Sequence, residues 1–314
     1  MTSRRDFVVM LGAGALGSMM SHRAPRRAAP SIRWGYASIT WGGNDAQAID
    51  DIASLGFAGV QLRSNVLEQF SASRLRDLLA SRKLTFVALS SGTVRLGTAA
   101  DERQMIDDHV AHARFVRDAG GSYLQVIDER PAGRDFTADD IGRLGGLLTE
   151  IGKRTADLGI PLGYHNHMGA IGEKPGDVER VLDASDPAYV RLELDIAHYY
   201  QGGGNPVEAI RRHADRLLFL HIKDVQIISA AGSGVPGYRF VELGRGVVDV
   251  TGVVAALRDV GFSGWAVIEL DSVPPSTPPR TPKDCAAISQ RYVERLRGRG
   301  DRRSHDTRNA SSAS

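Results

Sequence analysis

The sequence predicts an α/β protein built as a single (β/α)8 barrel, and three observations carry that prediction. From Ile32 onward, short β-branched or aliphatic runs alternate with amphipathic stretches, the pattern of βα units around a parallel sheet. Eight such runs with their helices match the roughly 250 residues typical of one barrel. Four runs in the second half also stop at an imidazole or carboxylate: IPLGYHNH, VRLELDIAH, LLFLHIKD and GWAVIELD. In a barrel every strand C-terminus opens on one face, so four such ends can converge there.

The runs at 32–37, 59–62, 84–89, 123–127, 160–165, 190–195, 217–221 and 265–270 read as strands. Between them, apolar residues recur at helical spacing over 46–55, 73–81, 102–119, 137–157, 178–184, 206–214 and 250–260. Gly56, Gly120, Gly159 and Gly261 follow four of these stretches, where helix C-caps favour glycine. An open doubly wound sheet is the alternative architecture. Its dinucleotide-binding form is disfavoured, because no G-x-G-x-x-G follows the first strand. The segment 226–240, rich in Gly, Ser and Ala, predicts a long loop on the C-terminal face between the last two barrel strands.

Both ends of the chain read differently from the middle. Arg4-Arg5 precedes an uncharged stretch, Phe7 to Met20, too short for the roughly 20 residues a membrane span needs. A twin arginine before a short, mildly apolar core predicts a Tat-type export signal over 1–29 and a periplasmic mature protein. The barrel domain then covers 30–297, and the polar stretch 298–314 predicts a disordered tail. Residues 1–29 hold five arginines and one aspartate, so of the chain's net +2 the mature part carries −2. Such a domain is a poor binder of phosphate backbones, and nucleic acid is excluded as a partner. With one cysteine, Cys285, there is no internal disulfide and no thiolate metal cluster. Once the signal is removed no membrane partner is expected, and a homo-oligomer is left open.

Side chains alternate along a strand, which places His165 with His167, Asp195 with Glu193, His221 with Lys223, and Glu269 with Val267 and Trp265. Charged groups turned into a barrel are costly unless paired or ligated. His165, Asp195, His221 and Glu269 on four successive strand ends therefore predict one metal site. Each alone has a plainer use: a hydrogen-bonded histidine, a helix cap at Asp195, a buried ion pair of Glu269 with Lys223 or Arg245. Two imidazoles and two carboxylates suit Mn²⁺ best, with Co²⁺, Fe²⁺, Zn²⁺ or Mg²⁺ as alternatives.

The segments WGYASITWG, GFAGVQL, YHNHMGA, LDIAHYYQGG, LHIKDV, VELGRGVVD and GWAVIELD together resemble the sugar phosphate isomerase/epimerase family, whose members are xylose isomerase-like TIM barrels. The likeness runs from about residue 32 to 295. It is greatest to inosose dehydratase-like members, which share the histidine run before Met-Gly and the His-x-Lys-Asp strand end. The resemblance implies His165, Asp195, His221 and Glu269 as metal ligands, the set reached from the strand ends. It pairs Asp195 with His198, which touches substrate or metal-bound water, and makes Arg245, in Gly244-Arg245-Gly246, a substrate clamp. Two departures stand out. His165 replaces the Glu that keto-sugar epimerases use as one of two bases, and Gln61 replaces a Glu of the second strand. Glu193 is read either as a relocated base or as a partner of Arg191 or Lys223.

This combination predicts a divalent-metal-dependent isomerase or lyase. It would act on a keto-sugar, inosose or keto-glycoside through a metal-stabilised enediolate. Glu269, Lys223, His198 and His167 are the candidate acids and bases, with Arg245, Glu193 and Trp41 as substrate contacts. Trp34, Tyr36, Trp41 and Tyr199 could stack on a sugar face or simply pack the barrel. The alternatives are a two-base 3-epimerase and an exported, catalytically inactive sugar-binding paralogue. A DNA-cleaving relative on the same barrel is disfavoured by the absence of histidines on the second and third strands and by the mature charge.

Overall fold

The computed structural model describes residues 31–228 and 237–310, with side chains through 298. The proposed export signal at 1–29 lies outside the described residues. Ten strands are present: β1 Ile32–Ala37, β2 Gly59–Arg63, β3 Thr85–Val94, β4 Tyr123–Asp128, β5 Leu162–His165, β6 Val190–Asp195, β7 Leu217–Ile222, β8 Asp224–Ile228, β9 Gly237–Val241 and β10 Gly264–Ile268. Eight of them close a parallel barrel in the order β1-β10-β7-β6-β5-β4-β3-β2, and helices pack around it.

Strand alternation divides the inside of this barrel from the outside. Outward aliphatic residues such as Val60, Leu124, Leu192 and Leu220 join the helices in one large core. Inward residues near the N-terminal end form a separate apolar plug of Val87, Ala88, Phe219, Trp265 and Val267. Trp265 is the bulk of that plug, and Gly59 makes room for it. A Cβ at Gly59 would lie 2.5 Å from Val87 and 2.7 Å from the indole. One inward step further along the strands, the lining turns polar: Gln61, Gln125, His165, Glu193 and His221, all buried. The plug seals the barrel floor, so these groups are satisfied by one another or by a ligand, not by water from below.

One expectation is corrected by the fold. The segment 226–240 is not a plain loop. Its ends form the antiparallel hairpin β8–β9, in register Val225↔Phe240 and Ile227↔Tyr238. The β-branched and aromatic residues flanking the Gly/Ser/Ala centre pair across strands, and the small residues had masked that pattern. The last helix runs Pro282–Ala310. Its N-terminal part is anchored by the buried Ala286, Val293 and Leu296, and arginine-rich sequence is a good helix former beyond such an anchor.

Candidate metal centre and active site

The four predicted ligands meet at the C-terminal mouth of β5, β6, β7 and β10. His165, Asp195 and His221 each offer a ligand atom within 4.8 Å of the others. His165 Nε2 is 3.4 Å from Asp195 Oδ2, and His221 Nδ1 is 3.6 Å from the same oxygen. Glu269 joins through Oε2, 2.5 Å from His221 Nδ1. The 3.4 and 3.6 Å separations are those of groups sharing an ion, since ligand atoms about 2.0–2.2 Å from a metal sit roughly 3–3.5 Å apart; the shorter His221–Glu269 contact is that of a direct ion pair.

The strongest indication is what these atoms lack. His165 Nε2, Asp195 Oδ2, His221 Nδ1 and Glu269 Oε2 are all buried without a hydrogen-bond partner. Buried polar atoms are rarely left unsatisfied, yet here those of His165, Asp195 and His221 lie within 4.8 Å of one another, with Glu269 Oε2 beside His221. The second polar atom of three of these residues is engaged in a way that fixes the first. Asp195 Oδ1 accepts from the N–H groups of Ala197 and His198, both at 2.9 Å, capping the helix Ile196–Gln201. The plain capping role and the ligand role are thus divided between the two oxygens of one carboxylate. His221 Nε2 lies 2.8 Å from Gln61 Oε1 and 2.7 Å from Glu193 Oε1, acceptors that keep a proton on Nε2 and turn Nδ1 toward the other ligands. The amide of Gln125 is 2.8 Å from His165 Nδ1. The contact runs through the Gln125 Nε2 amide and holds the ring with its own Nε2 toward Asp195. The donor set fits a divalent ion.

Charge balance agrees. Burial alone would lower the His221 pKa, but the Glu193 and Glu269 carboxylates outweigh it and raise the value well above the usual range. Burial opposes ionisation of Asp195 and Glu269. Lys223 and His198 beside Asp195, and His221 and Lys223 beside Glu269, nonetheless pull both carboxyl groups down. The site concentrates negative charge that only cations stabilise.

The remaining predicted residues divide into those on the site and those away from it. His167 and Glu269 line the cleft above the ligands, together with Gln61, Arg63, Ser90 and Gln125. His167 donates from Nδ1 to Met168 O at 2.7 Å, which leaves Nε2 as an acceptor, and burial beside His165 lowers its pKa. Its ring lies 3.9 Å from that of His198. Lys223 and His198 stand behind the ligand carboxylates. Lys223 Nζ is 2.9 Å from Asp271, 3.4 Å from Asp195 and 3.5 Å from Glu269. Burial acts to lower its pKa, but these three carboxylates raise it, so it stays an ammonium. His198 is driven well toward its neutral form, by burial first and by Lys223 next.

Three predicted substrate contacts lie elsewhere. Glu193 is fully buried beneath the histidine ligands, partnering neither Arg191 nor Lys223. Arg191 instead donates to the Arg216 and Leu217 carbonyls. Trp41 donates Nε1–H to Asp51 at 3.0 Å and packs edge-on against Tyr36, inside the fold. Arg245 is half-exposed and 3.8 Å from Glu242, off the cleft wall. Its loop serves Asp224, whose carboxylate accepts from the N–H groups of Val225, Gly244, Gly246 and Val248. A Cβ at Gly246 would come within 2.2 Å of Asp224 Oδ1, so the glycine motif there reads as a wrap around a carboxylate.

The sequence reading overlooked Gln125, Asp271, Arg63 and Asp128. Inward parity with Gln61 and Tyr123 could have found Arg63 and Gln125. Asp128, whose pKa burial raises, accepts from Tyr164 Oη and the Ile171 amide, and so holds the loop that carries His167.

The chain belongs to the xylose isomerase-like TIM barrel family, whose model matches residues 49–291. Among curated relatives, the inosose dehydratase of Bacillus velezensis is 26% identical over 298 residues, covering 84% of this chain and 96% of its own. The rhizopine catabolism protein MocC of Rhizobium meliloti is 28% identical over 292 residues, covering 82% and 86%. Among solved structures, the IOLI protein with a bound zinc atom superposes with a TM-score of 0.69 at 15% identity, covering 84% of this chain and 97% of that one. An L-ribulose 3-epimerase superposes at 0.71 with 16% identity, covering 88% and 98%. These structural likenesses establish the fold.

Proposed function

We propose that this protein is a divalent-metal-dependent lyase or isomerase acting on a polyhydroxy ketone: a keto-sugar, inosose or keto-glycoside. The observation that carries the reading is the buried cluster of His165, Asp195 and His221, with Glu269 against it, beneath a cleft of about 280 Å³. That volume is at the small end of ligand pockets, room for one ring and not for a polymer. The sugar- and inosose-directed names of the relatives support the substrate class. A bound ion, with Mn²⁺ favoured, would supply polarisation of the ketone and a neighbouring hydroxyl, acidifying the C–H between them.

The chain's own groups then handle the proton. Two groups on the cleft wall can accept it, the ionised Glu269 carboxylate and the neutral His167 at Nε2. When the α C–H bond breaks, its electron pair moves toward the ketone oxygen. Expulsion of a β-hydroxyl, protonated by the group that took the proton, gives dehydration with loss of water. Return of the proton to the neighbouring carbon gives isomerisation. Two-base 3-epimerisation is less favoured, because among the described residues Glu269 is the one carboxylate on the cleft wall where that reaction employs two. Lys223, held as an ammonium behind Asp195 and Glu269, keeps those carboxylates ionised.

NMR in deuterated water, over a panel of keto-sugars, inososes and 3-keto-glycosides, tests the reading. Deuterium should enter the carbon next to the ketone in at least one substrate and be lost in Glu269→Gln. A panel without exchange or product would sink the proposal. Export is proposed on the sequence: Arg4→Lys/Arg5→Lys should strand the protein in the cytoplasm, and unchanged periplasmic delivery would refute it.

A further inference from the structure

The cleft extends away from the ligands toward β1–β4, and its chemistry changes along the way. Beyond His165, His167, His221 and Glu269, the wall is made of Gln61, Gln125, the hydroxyls of Ser64, Ser90 and Thr93, and a single cation, Arg63. Alternation along β2 puts Arg63 on the same inward side as Gln61, two residues and about 6.6 Å further toward the mouth. Gln61 itself touches the ligand His221 at 2.8 Å, so Arg63 is rooted about one sugar ring's breadth beyond the ligands.

Arg63 is exposed and, among the described residues, has no ion pair and no hydrogen bond from its side chain. The acid on the neighbouring loop is already committed. Asp45 accepts from Ser38 at 2.7 Å, Asn65 at 2.7 Å and Gln69 at 2.8 Å. Ser90 Oγ accepts from Gln61 Nε2 at 2.9 Å, which leaves its own O–H to donate outward. The far wall of the cleft is therefore a set of donors around an unneutralised guanidinium, with no carboxylate facing it.

We propose that Arg63 makes the cleft selective for a polyhydroxy ring bearing a carboxylate at the end remote from the ketone, a keto acid of the cyclitol or sugar type. This rests on reading the cleft as a keto-polyol site. The planar guanidinium matches a carboxylate through two parallel hydrogen bonds, and the Ser90 hydroxyl can supply a further donor. No glycine-rich cradle on this wall would favour a phosphate instead.

Binding measurements separate this proposal from the catalytic one, because they require no turnover. Isothermal titration of the Mn²⁺-loaded full chain would compare quinate, a ring polyol with a carboxylate, against scyllo-inositol and an inositol monophosphate. Quinate should bind roughly 10- to 100-fold tighter than inositol, the range of a charge-assisted hydrogen bond. Arg63→Gln should erase that preference by weakening quinate far more than inositol, and Arg63→Lys should restore only part of it. Equal binding of quinate and inositol, no binding of either, a preference that survives Arg63→Gln, or tighter binding of the phosphate would each overturn the assignment. Absence of deuterium exchange would instead count against the reaction alone.

Discussion

Two pairs of histidines sit at the C-terminal half of this barrel, all buried except the half-buried His112, and they differ in nearly every other respect. His109 and His112, on the helix Ala99–Asp118 outside the sheet, both turn Nδ1 to one serine hydroxyl, Ser91 Oγ, at 2.6 and 2.8 Å. Burial first, and its neighbour His112 next, push His109 down to about 4, so it is a neutral ring. His165 and His221, inside the sheet, are braced from behind by Gln125, Gln61 and Glu193, and their forward nitrogens meet two carboxylates. Burial removes charge from the outer pair. At the inner pair the carboxylates reverse that trend at His221, and His165, Asp195 and His221 bring ligand atoms within 4.8 Å of one another. Burial therefore does not mark a ligand histidine. Carboxylates in front of it and a polar side chain bracing it from behind do.

The sharpest way to break this contrast is to remove a forward ligand. His221→Ala or Glu269→Ala should lower turnover by at least ~10³-fold while the circular dichroism spectrum is retained, since several kcal/mol of charge stabilisation go with the ion. Full turnover in either variant would mean that the inner pair is no more functional than the outer. A smaller effect is expected from the bracing groups. Glu193→Gln or Gln125→Leu should weaken metal affinity by about 10- to 100-fold, read by competition against a chelating dye. A change below twofold would show that the bracing is ornamental.

The outer pair makes the complementary prediction, in stability and not in activity. A histidine whose pKa falls from 6.5 to about 4 on folding leaves the unfolded chain holding more protons between those values. Native stability is thus fully present above pH 6.5 and falls as the pH drops toward 4, by at most ~3 kcal/mol from this group. His109→Gln should flatten that slope in urea titrations at pH 4 to 7, with turnover at pH 7.5 unaltered. An unchanged slope would mean that the acid sensitivity comes from other groups.

The sequence makes one of these pairs legible and leaves the other hidden. His165, Asp195, His221 and Glu269 can be read because each ends a β-branched run, and strand ends of a closed barrel converge by topology. The strands themselves follow from the same runs, with β1 and β6 at the residues expected. The bracing set is harder to see. Gln61 and Gln125 are neutral amides inside ordinary strands, and only the closed barrel brings them behind histidines 160 and 40 positions away. Glu193 draws attention as a carboxylate next to a ligand, yet which side of the imidazoles it occupies depends on β6–β7 register. Arg245 and Trp41 look like substrate contacts because of their residue types. In the fold Arg245 belongs to the loop wrapped around Asp224, and Trp41 is tied to Asp51. Hairpin β8–β9 was hidden by the small residues at its centre.

The central claim is that four strand ends hold one divalent ion. Equilibrium dialysis of the purified chain against Mn²⁺ or Zn²⁺, followed by elemental analysis, tests it most directly in the wild type, in the Asp195→Ala/His221→Ala double variant and in His109→Gln/His112→Gln. The account predicts one tightly bound ion per chain in the wild type and in the outer-pair variant, and none in the inner-pair variant. An ion retained without Asp195 and His221, or lost with His109 and His112, would contradict it.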